Sequence, residues 1–240
     1  MLPSLIGNPS KDDGNLESRN RKMKTPEAIL FDAGGTLVLQ DPVELARLLG
    51  HPVDPIRAFE AHYRAMDAYA RLRLAGEEKS WDWWQGHFFA GIGLPEPDTG
   101  AELTSSGYGL WTAAIEGTVE AMSRLRSGGI RIAVVSNSDG SVRDSLARAG
   151  FDGLFEFVVD SHEVGLSKPD PAIFLYALER LGVDSSGAWY VGDSIYHDVG
   201  GGIGARLAAS VLVDPLDLAP EHSPRIASVT QLPDLLGMVH

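Results

Sequence analysis

Four apolar residues, Ala28–Phe31, run straight into Asp32 and the glycines Gly34 and Gly35, and no second strand-like run follows for almost a hundred residues. A short apolar run ending at an acid and a glycine pair is the pattern of a buried strand that delivers a carboxylate to a tight loop. What comes next has a different period. Pro42–Leu49, Pro55–Leu74 and residues 81–89 carry helical spacing with no strand between them. After Gly117 the pattern alternates: helix 119–126, strand 131–135, helix 142–149, strand 157–159, helix 172–181, strand 188–191. A strand over 210–213 and a closing helix over 232–238 complete it. Strands separated by short helices make right-handed crossovers, so the expected fold class is α/β, a doubly wound parallel sheet covered on both faces. The first strand is separated from the others by a helical insertion. The expected organisation is a disordered N-terminal arm over 1–25, a core made of 26–39 and 117–240, and an all-helical cap over 40–116.

Composition narrows the function. The chain has 240 residues, 44% of them hydrophobic, enough for a real core. Its formal charge of −13 leaves little positive surface for nucleic acid or an anionic membrane, so neither is expected as a partner. A phosphate group would have to be met by a local cation or a metal. Cysteine is absent, which excludes thiolate chemistry and disulfides, and the apolar stretch at residues 2–6 is too short for a signal peptide. A cytoplasmic location is the expectation.

In an open parallel sheet the loops at the carboxyl ends of the strands converge, so polar residues there are the candidates for chemistry. They are Asp32, then Ser136 with Asn137, then Lys168 ahead of Pro169, then Asp193 with Asp198. Together they form a set for handling a phosphoryl group. Asp32 and Asp193 offer hard oxygen ligands suited to Mg²⁺. Lys168 supplies a point charge, and the Ser136 hydroxyl supplies a directed hydrogen bond. Glycines after Asp32 let backbone amides approach the transferred group. A carboxylate nucleophile would split hydrolysis into formation and breakdown of an aspartyl-phosphate.

Four segments carry a family resemblance: Ile29-Leu-Phe-Asp-Ala-Gly-Gly-Thr-Leu37, Val134-Val-Ser-Asn137, Lys168-Pro-Asp-Pro171 and Val191-Gly-Asp-Ser-Ile-Tyr-His-Asp198. In order and spacing they resemble the four motifs of the haloacid dehalogenase (HAD) superfamily, and the helical insertion between the first two resembles the cap of its subfamily I. The resemblance implies a HAD-like, Rossmann-type core and a Mg²⁺-dependent phosphatase-type hydrolase acting on a small phosphorylated metabolite. Position by position it implies Asp32 as nucleophile, with Lys168 and Ser136 as further catalytic residues. Gly35, Thr36, Ser136, Asn137 and Lys168 would contact substrate. Asp32, the Gly34 carbonyl, Asp193 and Asp198 would hold the metal.

One position departs from the pattern. The resembling phosphatases place an acid/base aspartate two residues after the nucleophile, and here that position is Gly34. General acid/base catalysis contributes about 10²- to 10⁴-fold, so the absence limits the chemistry and not the fold. Three readings follow: a hydrolase whose leaving group needs little protonation or finds another acid, a phosphate-binding or regulatory protein with weak catalysis, and a metal-independent 2-haloacid dehalogenase-like hydrolase. His197 and Asp41 are candidate replacement acids. Lys79, the single lysine of the insertion, lies beside Glu77 and Glu78 and reads as a solvated pair. Trp81, Trp83, Trp84, Phe88 and Phe89 are dense enough to build a cap core, the favoured reading; the alternative has one or two of them facing the cleft to select the substrate. The glycine run 200–204 reads as close helix packing, not a dinucleotide loop.

Overall fold

A computed structural model of the chain describes residues 24–94 and 110–238; the expected arm, apart from its last two residues, lies outside them. Six parallel strands form one sheet in the order β5-β4-β1-β6-β7-β8. They are β1 (Ala28–Phe31), β4 (Arg131–Ser136), β5 (Val158–Asp160), β6 (Ala188–Gly192), β7 (Ala209–Val213) and β8 (Arg225–Ile226). β1 lies in the middle, Ala28 pairing with Arg131 on one side and Ala188 on the other, and Phe31 with Val134 and Val191. All four of its residues are fully buried, which is why this strand reads as a continuous apolar run and not as an alternating one.

Two hydrophobic clusters cover the two faces of the sheet. On one, Ile29, Phe31, Ile132 and Val134 pack with Met122 and Leu125 of α4 (Thr118–Ser127) and Leu146 of α5 (Val142–Arg148). On the other, Leu30, Ala133 and Tyr190 pack with Ile173, Phe174 and Ala177 of α7 (Pro171–Leu181). A short helix α6 (Ser161–Val164) follows β5, α8 (Gly200–Gly204) precedes β7, and α9 (Leu232–Leu235) closes the chain, shorter than the expected 232–238. At Gly201 and Gly202 an added Cβ would meet the Phe174 ring and the Ser210 side chain, so the glycine run serves close packing.

The insertion is helical: α1 (Pro42–Leu49), α2 (Pro55–Leu74) and α3 (Trp81–Ile92) share a cluster of their own, with Ala58, Ala61, Ala65, Met66 and Tyr69 against Trp84, Phe88 and Phe89. Asp41 and Asp54 cap α1 and α2 by accepting from backbone N–H groups, each ahead of a proline in the first turn. The chain leaves and re-enters the core through a two-stranded antiparallel pair, β2 (Val38–Leu39) with β3 (Ala113–Ala114). Both strands are too short to show periodicity. Among the described residues no helix is long and apolar enough to cross a membrane.

Candidate active site

Strand order reverses beside β1. From β1 the chain fills the sheet outward through β4 and β5, then returns to β6 on the other side of β1. The crevice at the carboxyl ends of β1 and β6 is the topological switch point where ligands of such sheets bind. Asp32 follows β1 there and Asp193 follows β6.

Asp32, Asp193 and Asp198 bring carboxylate oxygens within 4.8 Å of one another, all three residues buried. Asp198 sits in a single turn of π-helix, Ile195–Val199, that follows β6. Between the acids lies Lys168. Its Nζ donates to Asp32 Oδ1 (2.7 Å), Asp198 Oδ1 (2.7 Å) and Tyr190 Oη (2.9 Å), and the tyrosine hydroxyl donates to the Val135 carbonyl (2.9 Å). All three ammonium protons are therefore engaged by protein groups. A phosphoryl oxygen can take a share of this cation only if one of those bonds shifts.

The electrostatics are unbalanced. Three buried carboxylates face one lysine, and burial with the neighbouring Asp198 and Asp193 charges raises Asp32 to about 7, although Lys168 pulls against them. Burial also raises Asp193, against the hydrogen bond from His62. Burial disfavours the Lys168 cation, but Asp198 and Asp32 outweigh it and hold the pKa above the ordinary lysine value. Asp193 Oδ1 is buried with no hydrogen-bond partner. A buried carboxylate oxygen without a donor is costly, and a divalent cation would relieve both that cost and the excess negative charge. The donors are all hard oxygens, as Mg²⁺ requires. The residues present fit such an ion.

The other expected residues divide. Ser136 is buried and lines a cavity of about 360 Å³ with Asp32, Lys168 and Asp193, a volume suited to a metabolite. Asn137 reaches the cavity too, but its amide is spent on the lysine loop: Nδ2 donates to the Lys168 carbonyl (2.9 Å) and Oδ1 accepts from the Lys168 amide (2.8 Å). It holds Lys168 in place. Gly35 is not at the cavity wall. Its amide donates to the Val38 carbonyl (2.8 Å), its carbonyl accepts from Tyr63 Oη (2.7 Å), and at φ +74° an added Cβ would overlap Asp193 and His62. Glycine is needed there for close approach and a left-handed turn, not for substrate contact. Thr36 is buried, with its amide donating to the Ala33 carbonyl and its hydroxyl unpartnered. It sits behind the Asp32 loop.

Of the two candidate acids, Asp41 is an N-cap and does not line the cavity. His197 does line it, stacked on Tyr69 with centroids 5.7 Å apart, but burial lowers its pKa to about 4 and leaves it neutral at physiological pH. Lys79 pairs with Glu77 at 3.2 Å.

Three residues escaped the sequence reading. His62, from α2, bonds Asp193 Oδ2 through Nε2 (2.8 Å), and both side chains are buried. Its neighbour Tyr63 holds the Gly35 carbonyl, so one helical turn of the insertion grips both the Asp32 loop and the Asp193 loop. The signal was present: His62 stands three, four and seven residues from the buried Ala65, Met66 and Tyr69 and four from Ala58, a polar side chain on an apolar stripe. Trp111 is the third. A Cβ built on Gly34 would lie 3.0 to 3.5 Å from three atoms of the Trp111 ring. The indole thus covers the place where a side chain at position 34 would stand, and it lines the cavity together with Trp81, Tyr69 and Met66.

Residues 26–206 match the family model of the haloacid dehalogenase-like hydrolases. The chain belongs to this family. It is 31% identical over 215 residues to mouse haloacid dehalogenase-like hydrolase domain-containing protein 3, covering 81% of this chain and 86% of that one. It is 29% identical to rat N-acylneuraminate-9-phosphatase over 58% of this chain and 60% of that protein. A solved HAD phosphatase from Thermococcus onnurineus superposes with a TM-score of 0.59 at 27% identity, covering 88% of this chain and 98% of its own. This HAD-like hydrolase therefore has phosphatase relatives, and it shares its fold with the solved HAD phosphatase.

Proposed function

We propose that this HAD-like hydrolase is a Mg²⁺-dependent phosphatase of a small phosphorylated metabolite, acting in the cytoplasm through an aspartyl-phosphate on Asp32. The observation that carries the reading is the trio Asp32, Asp193 and Asp198 around Lys168, with the buried Asp193 Oδ1 lacking a donor. The helices over residues 40–116 serve as a cap that excludes water from the core site. Asp32, Asp193 and the Gly34 carbonyl would hold Mg²⁺. Asp198, with one oxygen on Lys168 and the other on the Ser194 amide (2.9 Å), orients the lysine and completes the metal's surroundings. When bound, the ion supplies positive charge to the phosphoryl oxygens and permits a dianion to approach the acids.

Asp32 attacks phosphorus and takes the phosphoryl group as the bond to the leaving oxygen breaks; water then releases phosphate. Lys168 steadies the charge on the equatorial oxygens, and Ser136 donates a hydrogen bond to one of them. A 2-haloacid dehalogenase needs no metal, and an acidic trio repels the carboxylate of a haloacid, which counts against that reading. The covered slot at Gly34 favours one alternative, a phosphate-binding protein with negligible turnover.

Purified protein with Mg²⁺, and with a chelator in its place, separates these on acetyl phosphate, p-nitrophenyl phosphate and a panel of sugar and nucleotide phosphates. Mg²⁺-dependent phosphate release that falls at least about 10⁴-fold in Asp32→Asn is expected. Equal rates for wild type and Asp32→Asn on every compound would end the enzyme reading, and metal-free halide release from 2-haloacids would restore the dehalogenase one.

A further inference from the structure

Resting on the phosphatase reading, we infer that the substrate is an aryl phosphate, a monoester of a planar aromatic alcohol, and that Trp111 selects it. Two independent observations converge. The first is chemical. Position 34 carries no side chain, and the Trp111 ring lies 3.0 Å from where its Cβ would be, so no carboxylate fits there without moving the indole. His197 is stacked flat on Tyr69 with Nδ1 against the Ser194 hydroxyl (3.2 Å), and Asp41 is turned to its helix cap. The leaving oxygen must therefore depart without a positioned proton donor. A phenol-type oxygen, with a pKa of ~10 like that of tyrosine, tolerates this far better than an alkoxide, whose conjugate acid lies near the ~15.7 of water.

The second observation is steric and apolar. The insertion presents Trp111, Trp81, Tyr69 and Met66 to the cavity, with Trp111 lying against Gly34. Leaving groups sit against position 34, so the departing fragment meets aromatic faces. Aromatic contacts of this kind contribute about 0.5–1.5 kcal/mol beyond burial. A flat ring uses that surface and is also the better leaving group.

The step balances without further reactants. An Asp32 oxygen bonds phosphorus as the phosphorus–oxygen bond to the ring breaks, and the aryloxide leaves with the electron pair and takes a proton from solvent. Water then attacks the aspartyl-phosphate, the bond to Asp32 breaks, and the water's proton passes to the departing phosphate.

Phenyl phosphate, benzyl phosphate and cyclohexyl phosphate, each with Mg²⁺ and the full chain, separate the two contributions. Benzyl keeps the ring but leaves as an alkoxide, and cyclohexyl loses both features. Phenyl phosphate is expected to exceed benzyl phosphate in kcat by about 10²-fold or more at similar KM, and benzyl to exceed cyclohexyl through KM. Trp111→Leu should raise KM for both aromatic esters by up to about tenfold and leave cyclohexyl unchanged. Trp111→Phe should restore most of the loss, which a merely unfolded cap would not allow. Gly34→Asp alone should gain nothing on benzyl phosphate, whereas Gly34→Asp with Trp111→Ala should gain. Comparable kcat for phenyl and benzyl phosphate, or KM values indifferent to Trp111, would overturn the aryl assignment while leaving a phosphatase. No Mg²⁺-dependent release from any of the three, nor from the wider phosphate panel, would remove the phosphatase reading itself.

Discussion

The floor of the cavity and its roof are built on opposite terms. The floor consists of Asp32, Lys168, Asp193 and Asp198 at the ends of sheet strands, each fixed by hydrogen bonds and buried with its charge. The roof consists of Trp111, Trp81, Tyr69 and Met66: Tyr69 meets Trp81 edge to face, and Trp81 and Trp111 both pack on the buried Trp84 of the helical insertion. The floor concentrates charge at the expense of stability, because buried ion pairs barely repay their desolvation and a surplus carboxylate does not repay it at all. The roof gains stability from the same side chains that shape the cavity. The two meet at Gly34, where the floor carries no side chain and the Trp111 ring lies over the position. Floor changes should therefore act on kcat and on metal binding, and roof changes on KM.

Lys168→Met tests the floor at its one cation. Asp32 and Asp198 would face each other without their cation, so the variant should lose about 3–5 kcal/mol of stability without metal and about 10²- to 10³-fold in kcat with it. Melting curves and initial rates on the same preparation read both. A variant that melts like wild type in chelator would show that the lysine is not what holds the floor together.

Mg²⁺ itself gives the next effect. An ion that binds only the folded chain stabilises it by about 2.7 kcal/mol at one hundred times its Kd, which for a chain of this size raises Tm by roughly 5–10 °C. Asp193→Asn should abolish that rise, while Trp81→Phe should retain it. A rise of equal size in Asp193→Asn would move the ion elsewhere and break the division between floor and roof.

The floor was legible because its chemistry is local in sequence. Each of its residues follows a strand, and a strand is marked by its own apolar run. Loops at the carboxyl ends of parallel strands converge, so Asp32 and Asp193 could be placed on one edge of the sheet before any coordinates, although the order of the strands could not. The roof was not legible. Trp111 lies in the return segment between α3 and β3, where no period of 2 or 3.6 carries it, and its position over Gly34 depends on how the insertion folds back. His62 and Tyr63 had a local signal, a polar pair on an apolar helix face, but not the identity of what they bond. Asn137 shows what residue type alone leaves undetermined. Its type and place suit substrate binding, yet its amide is committed to both backbone groups of Lys168. The same side-chain chemistry serves a ligand or a loop, and only the distance tells which.

Asn137→Ala should accordingly behave as a positioning change. It removes two hydrogen bonds at the Lys168 backbone, each contributing about 0.5–1.5 kcal/mol, so the lysine loses definition and kcat falls about tenfold while KM stays near its wild-type value. A KM effect without a kcat effect would return Asn137 to substrate contact.

The smallest expected effect marks the outer limit of the roof. Trp81 and Trp83 stand two residues apart on α3, but Trp81 lines the cavity whereas Trp83 stacks on His87, its ring centroid 3.6 Å away, and accepts that histidine's Nδ1 at its carbonyl. Helical geometry turns neighbours two apart well away from each other, so the same residue type faces substrate at one position and the back of the cap at the other. Trp83→Ala should cost about 1 kcal/mol of stability and leave kcat and KM for every ester within about twofold, by steady-state kinetics beside a melting curve. Trp81→Ala should raise KM for the aromatic esters. If Trp83→Ala changed KM as much as Trp81→Ala, the roof would extend through the whole cap and specificity could no longer be assigned to the side chains that line the cavity.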